Sequence, residues 1–213
     1  MIASCENKKY NFEKGEVYSV VGKRNSVLTT LGKLLAGLIA PDSGVVDVPM
    51  PTEIKVADGN GTLKSYLKAY DAFSKNPQVA WIPKGLGVTS SLSPVANVVS
   101  MIYVYGVDWL DIEEIALGAL KEVGITEEAF TESSKLGAKA LRANFAYHLI
   151  RRVKLWVFDE YYDWLKTMCS WLSEHLEVTW FERFVRERTK FNETVVILTD
   201  EQAFPDSKVY LLE

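Results

Sequence analysis

The chain alternates short, wholly apolar runs with longer stretches in which apolar residues recur every three or four positions. Residues 15–22, GEVYSVVG, are an apolar run between two glycines, the pattern of a strand buried on both faces. In NSVLTTLGKLLAGL, Val27, Leu28, Leu31, Leu34, Leu35 and Leu38 follow at helical spacing, with Asn25 and Ser26 as candidate N-caps. This predicts a strand, a tight loop and a helix. The helix stops before Pro41, Asp42, Ser43 and Gly44, a turn sequence, and VVDV and EIKVAD predict short strands around that turn.

Farther along, residues 62–75 read as a helix and residues 78–83, QVAWIP, as a second buried strand. From 92 to about 150 the pattern is helical throughout, punctuated by Gly106, Gly124 and Gly137. Trp109, Leu110, Ile115, Leu117, Leu120 and Val123 mark one amphipathic helix there. KLWVF, 154–158, returns to strand and runs into Asp159 and Glu160. A long helical stretch to about residue 190 follows, then strands at 194–199 and 209–212. The order predicts an α/β protein: a sheet core of about 1–84 and 150–213, and a helical subdomain of about 85–149 inserted into it.

Composition narrows the function classes. With 213 residues, 48% of them hydrophobic, the chain is sized for one compact core with an appended subdomain. The balance of 24 Lys+Arg against 28 Asp+Glu creates no general field for polyanions, so nucleic acid is not an expected partner. Two cysteines, Cys5 and Cys169, have no metal-like spacing and form no disulfide framework, which suits a reducing cytoplasm. No apolar run reaches the roughly 18 to 20 residues that span a bilayer, so direct membrane insertion is not expected. His148 and His175 lack ligand neighbours at metal spacing, and Cys169 has no identifiable base.

The candidate chemistry begins at Gly22, Lys23, Arg24, Asn25, Ser26, Val27, Leu28, Thr29 and Thr30. A phosphate-binding loop uses glycines so that backbone N–H groups can curl around oxygens, a lysine for the terminal phosphates and a hydroxyl for Mg²⁺. The first glycine and the final hydroxyls stand at that spacing. Val27 occupies the second glycine position and Leu28 the lysine position, and both act against phosphate binding.

The run that follows, LGKLLAGLIAPDSGVV, closely resembles the ABC ATP-binding domain family after its phosphate loop, and the resemblance extends through most of the chain. Val79 to Lys84 resembles the strand into the family's Q-loop, with Lys84 in place of glutamine. Leu92 to Asn97, Tyr105, Gly106, Val123 and Gly124 resemble its helical subdomain. Leu136, Gly137, Ala138 and Lys139 fall where the signature LSGGQ would lie. AYHLIRRVKLWVFDE resembles the signature helix and Walker B strand, and VVILTD the strand before the switch histidine, with Asp200 in that histidine's place.

The resemblance implies a P-loop NTPase-like ABC ATPase fold, with a mixed sheet core and a helical subdomain insertion. It implies Mg-ATP as cofactor, with Gly22, Lys23, Arg24, Asn25, Ser26, Thr29 and Thr30 as nucleotide-binding positions. Thr29 and Asp159 stand as Mg²⁺ ligands and Glu160 as the base. It also implies a cytoplasmic protein, peripheral to the membrane through a protein partner, either another ABC subunit or a membrane permease. Because lysine, glutamine, signature serine and switch histidine are all replaced, the expected activity is an absent or very weak ATPase acting as a structural or regulatory partner. One alternative is a weak ATPase in which Lys23 or Arg24 replaces the lost lysine. Another is a soluble anion- or protein-binding module without hydrolysis.

Several positions carry two readings. Lys23 and Arg24 read as a substitute anion site at a helix N-terminus or as a solvated basic turn. Asp159 and Glu160 read as a vestigial Walker B pair or as polar residues where a strand leaves the core. The aromatic segment from Tyr161 through Phe184 reads as core or as a contact surface, and Trp164 and Trp171 are its candidate partner-contact residues. Tyr10 is the one candidate for an adenine-stacking aromatic, although it lies close to the phosphate loop.

Overall fold

The computed structural model describes residues 2–5, 8–23, 28–39, 78–85, 87–103, 109–172, 174–200 and 203–212. The strands expected around the turn at 41–44 and the helix expected at 62–75 lie outside these residues, as do Arg24, Asn25, Ser26 and Val27. The chain divides into two compact units, one built from residues up to 85 together with 153 onward, the other from 86–152.

The first unit holds β1 (Ile2–Cys5), β2 (Lys8–Asn11), β3 (Val17–Val21), α1 (Leu28–Leu35), β4 (Val79–Pro83), β5 (Leu155–Asp159), α5 (Tyr161–Leu172), α6 (His175–Lys190), β6 (Thr194–Thr199) and β7 (Lys208–Leu211). Five strands form one parallel sheet in the order β4-β5-β6-β3-β7. Because parallel neighbours need crossovers, helices cover the sheet, and every residue of β5 and β6 is buried.

Side-chain alternation sorts the sheet's two faces. Tyr18, Val20, Val79, Leu155, Val157, Val196 and Leu198 gather with Leu28, Leu31 and Leu35 of α1 in one cluster. The alternate positions Trp156 and Phe158 pack with Tyr161 of α5 and with Phe181 and Phe184 of α6. Trp156 meets Phe184 edge-on at 5.2 Å, and Phe158 meets Phe181 at 4.9 Å. Much of the aromatic segment is therefore core. The helical stretch expected from 161 to about 190 consists of two helices, α5 and α6.

An antiparallel pair, β1 with β2, precedes β3. The sequence reading found no strand there, because KKYN shows neither an apolar run nor alternation. Tyr10 of β2 is 3% exposed and meets Tyr210 edge-on at 5.4 Å, so its ring is committed to the core rather than presented to a purine.

The second unit holds α2 (Pro94–Ile102), α3 (Trp109–Glu122) and α4 (Arg142–Ile150), with 3₁₀ turns at Ser133–Lys135 and Gly137–Leu141. The helical pattern expected over 92–150 is thus realised as separate helices, and two of the punctuating glycines, Gly124 and Gly137, lie between them. Ser93 caps α2 by accepting the Ala96 N–H at 3.3 Å, with Pro94 at the first turn. Asn97, 2% exposed, accepts the Thr89 N–H and donates to Thr89 O, tying the approach to α2 down. The inner face of α3 is Ile112, Ala116, Ala119 and Leu120, with Val123 just beyond the helix. Ile115, expected on that face, is 40% exposed: it falls at the margin of the stripe, on the side away from Ala116 and Leu120.

Candidate functional site

Parallel pairing brings the carboxyl ends of β3, β4, β5 and β6 to one edge of the sheet, where open α/β sheets bind ligands. Gly22, Lys84, Glu160 and Asp200 immediately follow these four strands. Gly22 is buried, and its N–H donates to Thr199 O at 3.0 Å, so the start of the phosphate-loop segment is tied to the end of β6.

Asp159 ends β5 in the phase of Leu155 and Val157, which faces α1. There the Thr29 hydroxyl donates to Asp159 Oδ1 at 3.3 Å. Burial raises the Asp159 carboxyl above its ordinary range, opposed by the hydrogen bond from the Thr29 hydroxyl, reinforced by the neighbouring Glu160 charge, and opposed further by the nearby Trp81 indole and the charge of Lys84. Thr30 and Lys23 are exposed. The structure thus joins Thr29 to Asp159, the two residues expected as Mg²⁺ ligands, and places Thr30 apart from that contact.

Leu28, at the lysine position, is fully buried in the cluster beneath α1 with Leu31 and Leu35. It serves as the first apolar residue of the helix's inner stripe.

Glu160 carries φ of +52°, a left-handed conformation uncommon for a residue with a side chain. Its N–H donates to Leu198 O at 2.9 Å, and its carbonyl accepts the Trp164 N–H at 3.2 Å, so the residue is the corner between β5 and α5. The parallel register sets Pro83 against Asp159, and the Lys84 N–H continues the ladder to Asp159 O at 2.8 Å. One residue on, the Lys84 ammonium forms an ion pair with the Glu160 carboxylate. Glu160 is 7% exposed, while the lysine side chain is about half exposed.

This pairing was hidden in the sequence. Lys84 stood out there only as a replacement for glutamine, 76 positions from Glu160. Only the β4–β5 register makes them neighbours. Trp81 was missed as a site residue for the same reason.

The remaining candidates lie elsewhere. Trp164 is half-buried, with its ring 5.4 Å from that of Tyr161. Trp171 is 83% exposed near the end of α5, and Leu172 and Leu176, a few positions along the chain, are exposed as well. In the second unit, Gly137 at the signature position opens a 3₁₀ turn with φ of +55°, and Lys139 pairs with Glu128. His148 is 4% exposed and accepts from Arg151 at 3.2 Å through Nδ1; burial, helped by the Arg151 charge, holds its pKa well below the usual imidazole value. The Cys169 thiol is buried and pushed up to about 11, which leaves it a poor nucleophile. Among the described residues, no group of three His, Cys, Asp or Glu side chains could hold a metal ion, and no helix is long and apolar enough to cross a membrane.

The site fits Mg-ATP in part. The Thr29 hydroxyl and Asp159 carboxylate are the donor set of a hard cation. The position that would supply a lysine to terminal phosphates is inside the core, and the Glu160 carboxylate is already paired.

No family model matches the chain. Among curated proteins it is 24% identical to the lipoprotein-releasing system ATP-binding protein LolD of Bacteroides fragilis over 191 residues, covering 89% of this chain and 81% of that protein. It is 28% identical to the phosphonates import ATP-binding protein PhnC of Fusobacterium nucleatum over 201 residues, covering 90% and 74%. Among solved structures, cbiO1 from Clostridium perfringens, part of the ABC transporter complex cbiONQ, matches with a TM-score of 0.65 at 19% identity, over 91% of this chain and 70% of that one. With relatives matched along most of its length and a sheet of this order, the chain is a homologue of the ABC transporter ATP-binding proteins and has the ABC ATPase fold.

Proposed function

We propose that the chain is an ABC-type ATP-binding protein impaired as an ATPase, acting as a structural or regulatory partner of a transporter or of another ABC subunit. The observation that carries this reading is Leu28. The terminal phosphates of a nucleotide need a cation at that position, and here an aliphatic side chain is fully buried beneath α1. A buried leucine stabilises the helix it belongs to and offers nothing to a phosphate. Two relatives bear names that place them in a lipoprotein-releasing system and in phosphonate import, which supports a transport system as the setting. The protein would then lie in the cytoplasm and reach the membrane through its partner.

A second reading keeps weak ATP hydrolysis, with Lys23 or Arg24 replacing the lost lysine and Glu160 as base. The contact between Thr29 and Asp159 favours it, because a metal-binding pair remains assembled. Calorimetric titration with Mg-ATP, combined with a hydrolysis assay, separates the two. The first reading expects no binding at sub-millimolar nucleotide and no turnover. Tight binding with turnover that Glu160→Gln abolishes would establish the second reading and sink the first.

A further inference from the structure

The geometry points to Lys84 as a built-in counter-ion of the carboxylate site, a specificity-determining residue that excludes a divalent cation from Asp159 and Glu160; this rests on the reading of the site as an impaired ATP site. Three observations lead there. The β4–β5 register delivers Lys84 beside Glu160 by backbone pairing, so the contact does not depend on a long side chain searching a surface. Glu160 is buried and held in a left-handed corner whose N–H and carbonyl are both engaged, which limits the ways its carboxylate can turn. Finally, the Lys84 ammonium is paired with Glu160 and its charge is also felt at Asp159, more weakly than the Thr29 hydroxyl there.

Two adjacent carboxylates in a buried setting repel one another and require a cation. In a metal site the ion supplies it. Here an ammonium held in place by the β4–β5 ladder does, so no ion has to be bound from solution. A lysine is also unsuited to share the site. Its ammonium donates to a Glu160 carboxylate oxygen, and its positive charge repels a second cation there. The protein's own residue therefore supplies one positive charge that balances Glu160 without a metal ion.

Manganese binding, followed by the enhancement of water-proton relaxation, tests this without reference to nucleotide or turnover. Wild-type protein and Lys84→Arg, which keeps the cation, are expected to bind Mn²⁺ weakly and alike. Lys84→Gln is expected to bind on the order of ten-fold more tightly. Adding Glu160→Gln to Lys84→Gln removes the gain. Equal affinity in wild type and Lys84→Gln, or a gain that survives loss of Glu160, overturns the inference. Should Lys84→Gln fail to fold, acylation of Lys84 by an amine-selective reagent, read by mass spectrometry, decides instead. Its rate rises several-fold in Glu160→Gln if the pair is a lock, and an unchanged rate overturns it. Wild-type Mg-ATP titration judges the impaired-ATPase reading separately, so either idea can fail while the other stands.

Discussion

Gly32 of α1 and Trp81 of β4 are packed so closely that a Cβ on the glycine would lie 3.1 Å from the indole Nε1 and 3.0 Å from Leu198 Cδ1. The absent side chain lets the helix settle on the sheet and leaves the Trp81 indole beside the Asp159 carboxylate. Gly32→Ala is expected to gain about 1 kcal/mol of helix propensity and to lose about 2–3 kcal/mol to overpacking, a net loss of about 1–2 kcal/mol in urea denaturation. A stabilised variant would show that the helix can shift to admit the methyl group.

Leu28 tests whether the lysine position has become core. Leu28→Ala deletes a fully buried side chain and should cost about 2–5 kcal/mol, measured by equilibrium unfolding. A loss under about 1 kcal/mol would mean that the site collapses easily or that the side chain faces the loop.

His148 makes stability depend on pH. Its pKa is depressed in the folded protein, so below about pH 6.5 the unfolded chain takes up a proton that the folded protein refuses. Its contribution is intact above that value and declines as pH falls, by up to about 1.4 kcal/mol per pH unit until the folded-state pKa is reached. Urea denaturation at several values between pH 7.5 and pH 5 should show this slope, and His148→Leu should flatten it. Identical slopes in the two proteins would contradict a buried neutral imidazole.

Trp171 and Trp156 should separate contact surface from core. Trp171 is 83% exposed, and Trp171→Ala is expected to leave the unfolding free energy within about 0.5 kcal/mol of wild type. Trp156 is fully buried, with its indole N–H donating to Glu193 at 2.9 Å, and Trp156→Ala should cost about 3–5 kcal/mol. A large loss at Trp171 would remove it as a candidate for partner contact.

Much of the fold was legible because buried parallel strands and amphipathic helices write simple patterns. The runs at 78–83, 154–158 and 194–199 became β4, β5 and β6 within a residue or two, and Leu28, Leu31, Leu34 and Leu35 form the buried stripe of α1. Other elements were less legible for physical reasons. In the stretch 92–150 the glycines marked the breaks, but the 3₁₀ turns at Ser133–Lys135 and Gly137–Leu141 carry no period of their own. The β1–β2 pair is stabilised by ladder hydrogen bonds that leave little trace in a polar sequence. In the aromatic segment, helical spacing alone could not assign Tyr161, Phe181 and Trp171 to different environments; two are buried and one is exposed.

By itself the sequence determined the order of the parallel sheet's strands and of the helices between them, the replacement of lysine by Leu28, and the presence of Asp159 and Glu160 at a strand end. These are local properties, written in side-chain type and period. Tertiary structure alone decided that Thr29 reaches Asp159, that Leu28 turns into the core, and that Lys84 neutralises Glu160. Those relations depend on which strands become neighbours and in what register, and parallel strands acquire both through crossovers and packing that no local pattern encodes.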